Sequence, residues 1–335
     1  MSVNEFKVDT PTATSSVACS SSPYRRLWWL SAVALAAIVV FMTINLGGNL
    51  RYILIHRGQI LSTMVLVAFA ASVSTVLFQT VTNNRILTPS IMGFEALFIL
   101  LQTAVLFFFG VQGITAVGVS GKFILEALLL VLFSLLLYRS LFTGSHSNLH
   151  LVLLVGIICG TLFRSASSLM QRLLTPGEFA VLQSRMFATF TRAAPELIAL
   201  SAAIILIIAL CVWRLRFQLD VLALGRNTAI NLGISYKRHV TLVLLLVSVL
   251  VAVSTALVGP LTFLGFMVAN LAYLIAGSSQ HRIVLPTAFL LGIIALVGGQ
   301  LILEHLLGMA GALSVVLEFI GGSLFIVLLL KKVSV

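Results

Sequence analysis

The sequence predicts an all-α, polytopic membrane protein with about ten transmembrane helices. Of its 335 residues, 60% are hydrophobic and 9% are charged, whereas a soluble globular protein carries about 25% charged residues. Apolar runs of roughly 20 residues recur along the chain, which is the length that a helix needs to cross a bilayer. Lys and Arg beside the spans explain the net charge of +11, so nucleic-acid binding is not expected.

Ten apolar runs define the predicted spans. The seventh and eighth are separated only by Gly259-Pro260, but together they are far too long for one crossing at a helical rise of about 1.5 Å per residue. The spans are residues 27–46, 60–81, 91–111, 122–142, 149–170, 196–213, 239–258, 260–277, 283–303 and 311–330.

The chain before the first span has a different composition. Residues 1–23 are rich in Ser and Thr and lack hydrophobic periodicity, which is typical of a disordered tail. Arg25-Arg26 followed by an apolar run is also the pattern of a signal peptide. Since residues 27–46 are long enough to span, we expect an uncleaved first helix. Residues 24–335 then form a single transmembrane domain.

The distribution of Lys and Arg predicts the orientation. With a cytoplasmic N-terminus, 13 of these residues lie on the cytoplasmic side and seven outside, which is the bias found in membrane proteins. Ten spans then place the C-terminus in the cytoplasm as well. The polar segment 214–238 faces the cytoplasm, and the polar loop 171–195 faces outside and contains a short surface helix.

Segment 214–238 is more patterned than an ordinary membrane loop. Asp220 can cap a short helix that Gly225 ends, and Asn227 or Thr228 can cap a second helix that Gly233 ends. Two short helices in a positively charged loop indicate a docking surface for another protein. The alternative is that they lie on the membrane surface as amphipathic segments.

Sequence motifs for chemistry are missing. No phosphate-binding loop or zinc-protease motif occurs, and neither a nucleophile nor a paired-carboxylate motif stands out. The three cysteines have unrelated spacings, and the six histidines are scattered near span ends, where solvated surface residues are expected. An enzyme and a metal site are therefore not expected. Active transport would need an ion gradient or a separate ATPase.

Few ionisable residues fall inside the spans. Glu95 lies in the first turn of span 3, where the helix N-terminus favours an anion, and Glu126 is placed to pair with Lys122. Arg164 and Glu318 lie deeper and are candidates for an internal path, with a structural ion pair as the alternative. One or two ionisable residues inside the spans give little support to proton-coupled transport.

Five spaced motifs occur in a fixed order and together resemble one family. They are Phe78-Gln79 with Asn84, Leu87, Pro89 and Gly93; Leu222-Ala223-Leu224-Gly225 with Ala229 and Leu232-Gly233; Gly259-Pro260-Leu261-Thr262-Phe263-Leu264-Gly265; His281-Arg282 with Leu285-Pro286; and Gly321-Gly322 with Phe325. This set resembles FecCD-type permeases, the ten-helix membrane subunits of ABC importers for iron–siderophore complexes, haem and vitamin B12. The resemblance runs from about residue 57 to 332.

The resemblance implies a FecCD/BtuC-like permease fold in the cytoplasmic membrane of a bacterium. It also implies a second permease subunit, different from this chain rather than identical to it, two cytoplasmic ATPase subunits, and a periplasmic or lipid-anchored binding protein. No cofactor is expected on this chain, because ATP and Mg would bind the ATPases. The external segment Thr175–Phe179, with Gln183 and 187–190, resembles the branch that carries ferric siderophores, often of the catecholate type.

Three departures from the family pattern stand out. Ala269-Asn270 replaces the usual Pro-His pair after the Gly-Pro motif, and Arg226 stands where an acidic residue commonly follows Leu-Gly. The paired arginines before span 2 reduce to Arg57, with Ile60 in the second place.

Four groups of candidate residues follow. The resemblance implies ATPase coupling by Asp220, Val221, Leu222, Leu224, Gly225, Arg226, Ala229, Leu232 and Gly233. We expect docking of a binding protein by Arg51, Arg57, Glu178 and Arg185. A translocation path or gate is expected at Arg164, Glu318, Thr143 and Ser145. The implied structural motif contains Gly259, Pro260, Phe263, Gly265 and Asn270.

Two other classes of function stay open at this point. One is a proton-coupled secondary carrier that acts without an ATPase, and the other is a membrane scaffold that transports nothing.

Overall fold

Twelve α-helices and one short 3-10 helix, Pro89–Met92, make up the described part of the chain in the computed structural model. The structure describes residues 23–44, 50–116, 118–142, 149–191, 194–308 and 311–333. The helices are α1 (Pro23–Thr43), α2 (Leu50–Thr82), α3 (Phe94–Ala116), α4 (Gly118–Phe142), α5 (Leu149–Gln171), α6 (Pro176–Met186), α7 (Pro195–Leu222), α8 (Arg226–Asn231), α9 (Tyr236–Val258), α10 (Leu264–Ala276), α11 (His281–His305) and α12 (Leu313–Val333).

The helix lengths support the predicted all-α, polytopic fold. Among the described helices, eight are long and apolar enough to cross a membrane. The predicted eighth span is shorter, because α10 has 13 residues, about 20 Å of helix, whereas α12 has 21 residues and matches the predicted tenth span closely. Residues 259–263 precede α10 in non-helical backbone, which a bilayer tolerates where protein surrounds it. Gly259 is indeed buried.

Two helices extend well beyond the spans predicted for them. Helix α2 begins at Leu50 instead of residue 60, because Arg and His interrupt an apolar run without stopping a helix. Helix α7 continues to Leu222 instead of residue 213, because Leu219 and Leu222 extend its buried stripe. The first of the two short helices predicted in segment 214–238 is therefore the end of α7.

Helix α2 is the centre of the bundle. Between Ile60 and Thr82 most of its side chains are buried, and α7, α9, α10 and α11 pack around it. Helix α1 packs on α11, while α3, α4 and α5 form a second group that joins the first mainly through the contact of α4 with α9. A helix surrounded in this way is apolar on all sides, which is why α2 shows no amphipathic stripe.

The start of α1 and the polar segment lie at the same end of the bundle. The Arg26 guanidinium of α1 donates to the Ile275 carbonyl at 3.0 Å, which places the start of α1 beside the end of α10. Asp220 near the end of α7 bonds to His281 at the start of α11. We call this end of the bundle the Asp220 end. The opposite end, which contains α6, is called the α6 end.

A close approach between backbones joins α3 to α5. Gly93 adopts a positive φ of 88° between the 3-10 helix and α3, and a Cβ at this position would lie 2.9 Å from the Cα of Gly160. Only glycine combines that backbone conformation with that separation at little cost. The pair therefore sets the distance between α3 and α5.

We expect Gly93→Ala to destabilise the protein strongly. Overpacking typically costs about 1–3 kcal/mol, and the left-handed backbone adds about 1–2 kcal/mol for a residue with a Cβ. The measurement is the thermal unfolding midpoint in detergent. Gly298→Ala is the matched control, because a Cβ there meets nothing within 4 Å. Equal midpoints for the two variants would contradict the role given to Gly93.

Candidate functional site

A chain of polar contacts ties four helices together at the Asp220 end. One carboxylate oxygen of Asp220 accepts from the backbone N–H of His281 at 2.7 Å and lies 2.6 Å from the Nδ1 of the same residue. The other ring nitrogen lies 2.7 Å from the hydroxyl of Thr80 in α2. Asp220 thus satisfies a free N–H at the start of α11, where a helix favours an anion.

The polar chain continues into α10. The Tyr273 hydroxyl bonds to Thr80, and the Arg85 guanidinium lies 4.4 Å from the centroid of the Tyr273 ring. Gln79 donates to the Arg85 carbonyl at 2.7 Å. These side chains, together with Val221 and Leu224, line a cavity of about 530 Å³. Because these contacts are linked, a displacement of residues 220–224 would also displace side chains of α2, α10 and α11.

The prediction for histidines was wrong at His281. This side chain is only 1% exposed, because α7 and α2 bring Asp220 and Thr80 to its ring. Its partner Asp220 lies 61 positions earlier in the chain, so no short stretch of sequence contains both residues or predicts their pairing. The available signal was that His281-Arg282 belongs to one of the spaced motifs.

Beyond Asp220, the polar segment forms one short helix with an exposed apolar patch. Gly225 has φ 93° and precedes α8 without a side-chain cap, so the capping predicted for Asn227 or Thr228 is absent and Gly225 takes that position. Gly233, with φ 85°, follows α8 as expected. Arg226 is exposed.

Apolar residues of this segment divide between the interior and the surface. Leu222 and Ala229 are buried, at 3% and 0% exposure, and Val221 is half-buried. By contrast, Leu224, Ile230 and Leu232 are 60%, 48% and 60% exposed. We call these three residues the exposed apolar patch. Exposed apolar side chains in a polar segment are candidates for contact with another protein.

At the α6 end, a capping box starts α6. The Thr175 hydroxyl accepts from the Glu178 backbone N–H at 3.4 Å, and the Glu178 carboxylate accepts from the Thr175 backbone N–H at 3.0 Å. Leu182 of α6 is buried against Leu106 of α3, which fixes the helix on the bundle. Arg185 is half-buried in the last turn. The predicted short surface helix of loop 171–195 is this helix.

We expect α6 to loosen at acidic pH. Hydrogen bonds from Thr175 hold the pKa of Glu178 below its usual range. A carboxylate whose folded pKa is lowered adds stability above its unfolded pKa, and that contribution is lost as the pH falls through the folded pKa. The measurement is amide hydrogen-exchange protection at the start of α6 as the pH is lowered.

Thr175→Ala is the control for this pH effect. It removes the hydroxyl that bonds to Glu178, so the variant should have lower protection and a weaker pH dependence. Protection that does not change with pH in the unaltered protein would contradict the expectation.

Arg57, predicted to dock a binding protein, also holds α1 against α2. Its Nη1 donates to the carbonyls of Phe41 and Ile44, both at 2.6 Å, and its guanidinium lies 5.5 Å from the centroid of the Phe41 ring. These carbonyls are free acceptors at the end of α1. Arg51, nearly two turns earlier in α2, is exposed.

Buried polar groups elsewhere are paired across α3, α4 and α5. Lys122 and Glu126 are 3.4 Å apart, which confirms their predicted pairing, and Gln102 of α3 bonds to both side chains. Thr103 and Ser167 bond at 2.8 Å. The sequence around Gln102 did not predict these hydrogen bonds, because both partners lie in another helix.

Glu95 joins the Gly259–Gly265 motif to the start of α3. Its carboxylate is 7% exposed and accepts from the Thr262 hydroxyl at 2.8 Å. Arg164 and Glu318 are close enough for their charges to act on this carboxylate. The tertiary structure therefore brings the two predicted path residues into one electrostatic neighbourhood, although they lie in α5 and α12.

Most residues of the predicted structural motif lie in or beside the turn between α9 and α10. Gly259 ends α9 with φ 101°, and the segment after α6 lies against it through a bond from the Thr189 N–H to the Val258 carbonyl at 2.9 Å. Gly265 packs against Thr75 of α2. Pro260 and Phe263 are half-buried, and the Asn270 amide donates to its own helix at the Phe266 carbonyl.

The remaining cavities lie on the surface of the bundle. A groove of about 380 Å³ is lined by Arg164, Ser165, Ser168 and Leu169 of α5 and by Arg172, which follows the last residue of the helix. A mostly apolar cavity of about 880 Å³ lies at the α6 end between residues 184–191, the end of α11 and the start of α12. The predicted gate residues Thr143 and Ser145 lie outside the described residues, as do residues 1–22 of the predicted tail 1–23.

Metal binding has no support in the ranges that the structure describes, where no group of three His, Cys, Asp or Glu side chains could hold an ion.

Comparisons with known proteins give a consistent picture. The model of the FecCD transport family matches residues 31–331. The petrobactin import system permease protein YclO of Bacillus subtilis is 44% identical over 303 residues, covering 90% of this chain and 96% of that protein.

Two permeases of Bacillus anthracis also match. The petrobactin import system permease protein FatC is 40% identical over 269 residues, 80% of this chain and 76% of FatC. FatD, another petrobactin import system permease protein, is 29% identical over 130 residues, 38% of this chain and 39% of FatD.

Among solved structures, an inward-facing conformation of a metal-chelate type ABC transporter has the same fold. It superposes with a TM-score of 0.80 at 22% sequence identity and covers 92% of this chain and 100% of that one.

Proposed function

Because this chain belongs to the FecCD transport family, whose members are non-catalytic, multi-pass membrane permeases of bacterial ABC importers, we propose that it moves a ferric siderophore into the cell. ATP with Mg would be hydrolysed on separate subunits, and this chain would hold no cofactor. Residues 24–335 act as one transmembrane domain, and the exposed apolar patch is the observation that carries the proposal of ATPase coupling.

Petrobactin is the siderophore that the comparisons favour. YclO and FatC, both petrobactin import permeases, are 44% and 40% identical to this chain over most of its length. Identity at this level over 303 residues supports a shared class of substrate. A ferric siderophore of that class is therefore the proposed cargo, and the external segment Thr175–Phe179 adds the proposal that it carries catecholate oxygens.

The partner in the membrane is proposed to be a different permease chain. Bacillus anthracis has two petrobactin import permeases, FatC and FatD, and this chain matches FatC over twice the length that it matches FatD. The presence of two petrobactin import permeases in one organism supports an assembly of two unlike permeases. The translocation path would run along their interface, with two ATPase subunits below and a binding protein above.

We propose that the Asp220 end is cytoplasmic and that the ATPases bind there. Leu224, Ile230 and Leu232 would insert into a cleft of the ATPase, because exposed apolar side chains gain most from being covered. Asp220 and the buried Leu222 and Ala229 would pass the movement to the bundle. Both described ends of the chain lie on the same side, since α1 starts beside Ile275 and α12 runs back along α11 from Gly299.

The binding protein is proposed to dock at the α6 end. Arg51 is exposed there, and Arg185 and Glu178 sit on α6, which the capping box holds in place. Arg57 would contribute charge while still supporting α1. Basic residues on such a surface would act mainly by raising the rate of association with an acidic partner.

The rival function is a proton-coupled carrier, and co-purification separates the two. The chain would be expressed with its neighbouring permease and ATPase, purified, and reconstituted into liposomes with binding protein on one side. We expect the ATPase to co-purify and ATP to drive uptake of ferric petrobactin without a proton gradient. Uptake that needs the gradient and no ATPase would overturn the proposal.

A further inference from the structure

One face of α5 is polar although the helix is long and apolar enough to cross a membrane. Arg164 and Ser168 of α5, and Arg172 directly after its end, follow one another at intervals of four positions and are exposed, with Ser165 beside them. Residues four apart lie on the same face of a helix. Together with Leu169 they line a groove of about 380 Å³.

The position of Arg164 within α5 argues against lipid contact for this face. Arg164 lies seven residues before α5 ends at Gln171, about 10 Å along the helix axis. A guanidinium at that depth is costly in hydrocarbon, so such residues face a water-filled cavity or another protein. The hydroxyls of Ser165 and Ser168 fit the same surroundings.

Within the described part of the chain, no ion pair neutralises Arg164. The salt bridges there join Lys122 to Glu126 and Asp220 to His281. Arg164 acts on the carboxylate of Glu95 only from a distance, as does Glu318, and Glu95 already accepts from Thr262. The guanidinium donors of Arg164 are therefore available to the groove.

We propose that Arg164 and Arg172, with the hydroxyls of Ser165 and Ser168, form a subsite for a negatively charged ferric chelate on its way across the membrane. This inference rests on the proposed function, because it assigns the chemical class of the cargo to one face of the path. Guanidinium groups bind carboxylate and catecholate oxygens through paired hydrogen bonds. Two of them about 12 Å apart along the helix would bind the chelate in succession.

Glu318 limits how tightly the chelate is held. It is exposed on α12 and shares the neighbourhood of Glu95 with Arg164. Its negative charge repels an anionic cargo. A transport path needs binding that is strong enough for entry and weak enough for release, and the carboxylate of Glu318 would weaken the binding of an anion.

The test is ATP-driven uptake of ferric petrobactin by the complete importer in liposomes. Arg164→Gln should raise the KM about tenfold, since losing a hydrogen bond to a charged group changes affinity by at least that factor. Arg164→Lys keeps the charge and should recover most of the loss. Glu318→Gln should lower the KM. Arg25→Gln, which removes an exposed arginine at the start of α1, is the control and should leave KM unchanged.

Several outcomes separate this inference from the proposed function. If the unaltered importer does not take up ferric petrobactin, the proposed function fails and so does the inference that rests on it. If it does, but Arg164→Gln has an unchanged KM or Arg164→Lys fails to recover it, only the anion subsite is overturned. A fall in maximal rate alone, with KM unchanged, would mark a structural role for Arg164 and also overturn the subsite.

Discussion

Leu224→Asp is expected to abolish ATP-driven uptake while the amount of folded permease in the membrane stays normal. Leu224 is 60% exposed, so the substitution removes little buried surface. A charge in the exposed apolar patch would have to be desolvated when the ATPase covers it, and that cost is several kcal/mol unless a partner compensates it. The measurements are uptake, ATPase co-purification and the yield of detergent-solubilised protein.

Leu224→Met is the matched control, because it keeps the volume and the apolar character of the side chain. It should transport at nearly the normal rate. Normal uptake by Leu224→Asp, with the ATPase still bound, would remove the exposed apolar patch from the coupling surface. Loss of folded protein in both variants would instead give Leu224 a purely structural role.

His281→Ala is expected to lower the unfolding midpoint and to uncouple ATP hydrolysis from uptake. The buried imidazole bonds to Asp220 and Thr80, so its removal leaves a carboxylate and a hydroxyl without that partner. Each such loss costs about 1–3 kcal/mol, and more for a charged group. Because the same contacts join α7 to α2 and α11, movement of the segment 220–224 would no longer reach those helices.

The measurements for His281→Ala are the unfolding midpoint in detergent and the ratio of ATP hydrolysed to chelate transported. His305→Ala is the control, because His305 is exposed at the far end of the same helix and bonds to the Leu301 carbonyl of its own helix. A lower midpoint with an unchanged ratio would leave His281 as a stabilising residue only. Equal midpoints for the two variants would refute the structural role as well.

Local sequence patterns predicted the helices better than their ends. The apolar runs located the helices that cross, because apolar length follows from bilayer thickness and needs no tertiary information. The beginning of α2 was missed by ten residues, from 60 to Leu50, because a helix can continue beyond the bilayer through Arg51 and Arg57. Hydropathy reports contact with lipid, whereas helix ends depend on backbone bonding and packing.

The predicted site residues also divide into those that local sequence identifies and those whose partners it does not. Arg164 and Glu318 were identified from position alone, because an ionisable group within a span is unusual in any fold. Asp220 was assigned to cap its own segment and instead accepts from His281, 61 positions away. No pattern within a short window contains that pairing.

The sequence by itself determined that this protein is helical, lies in a membrane and belongs to a family of permeases, because composition, apolar length and spaced motifs are all local properties. The tertiary structure decided which polar groups meet. It buried His281 between α7, α2 and α11, brought Arg164 and Glu318 near Glu95, and left Leu224, Ile230 and Leu232 exposed. Burial and pairing depend on which distant helices pack together, and that arrangement becomes visible only when the whole chain is folded.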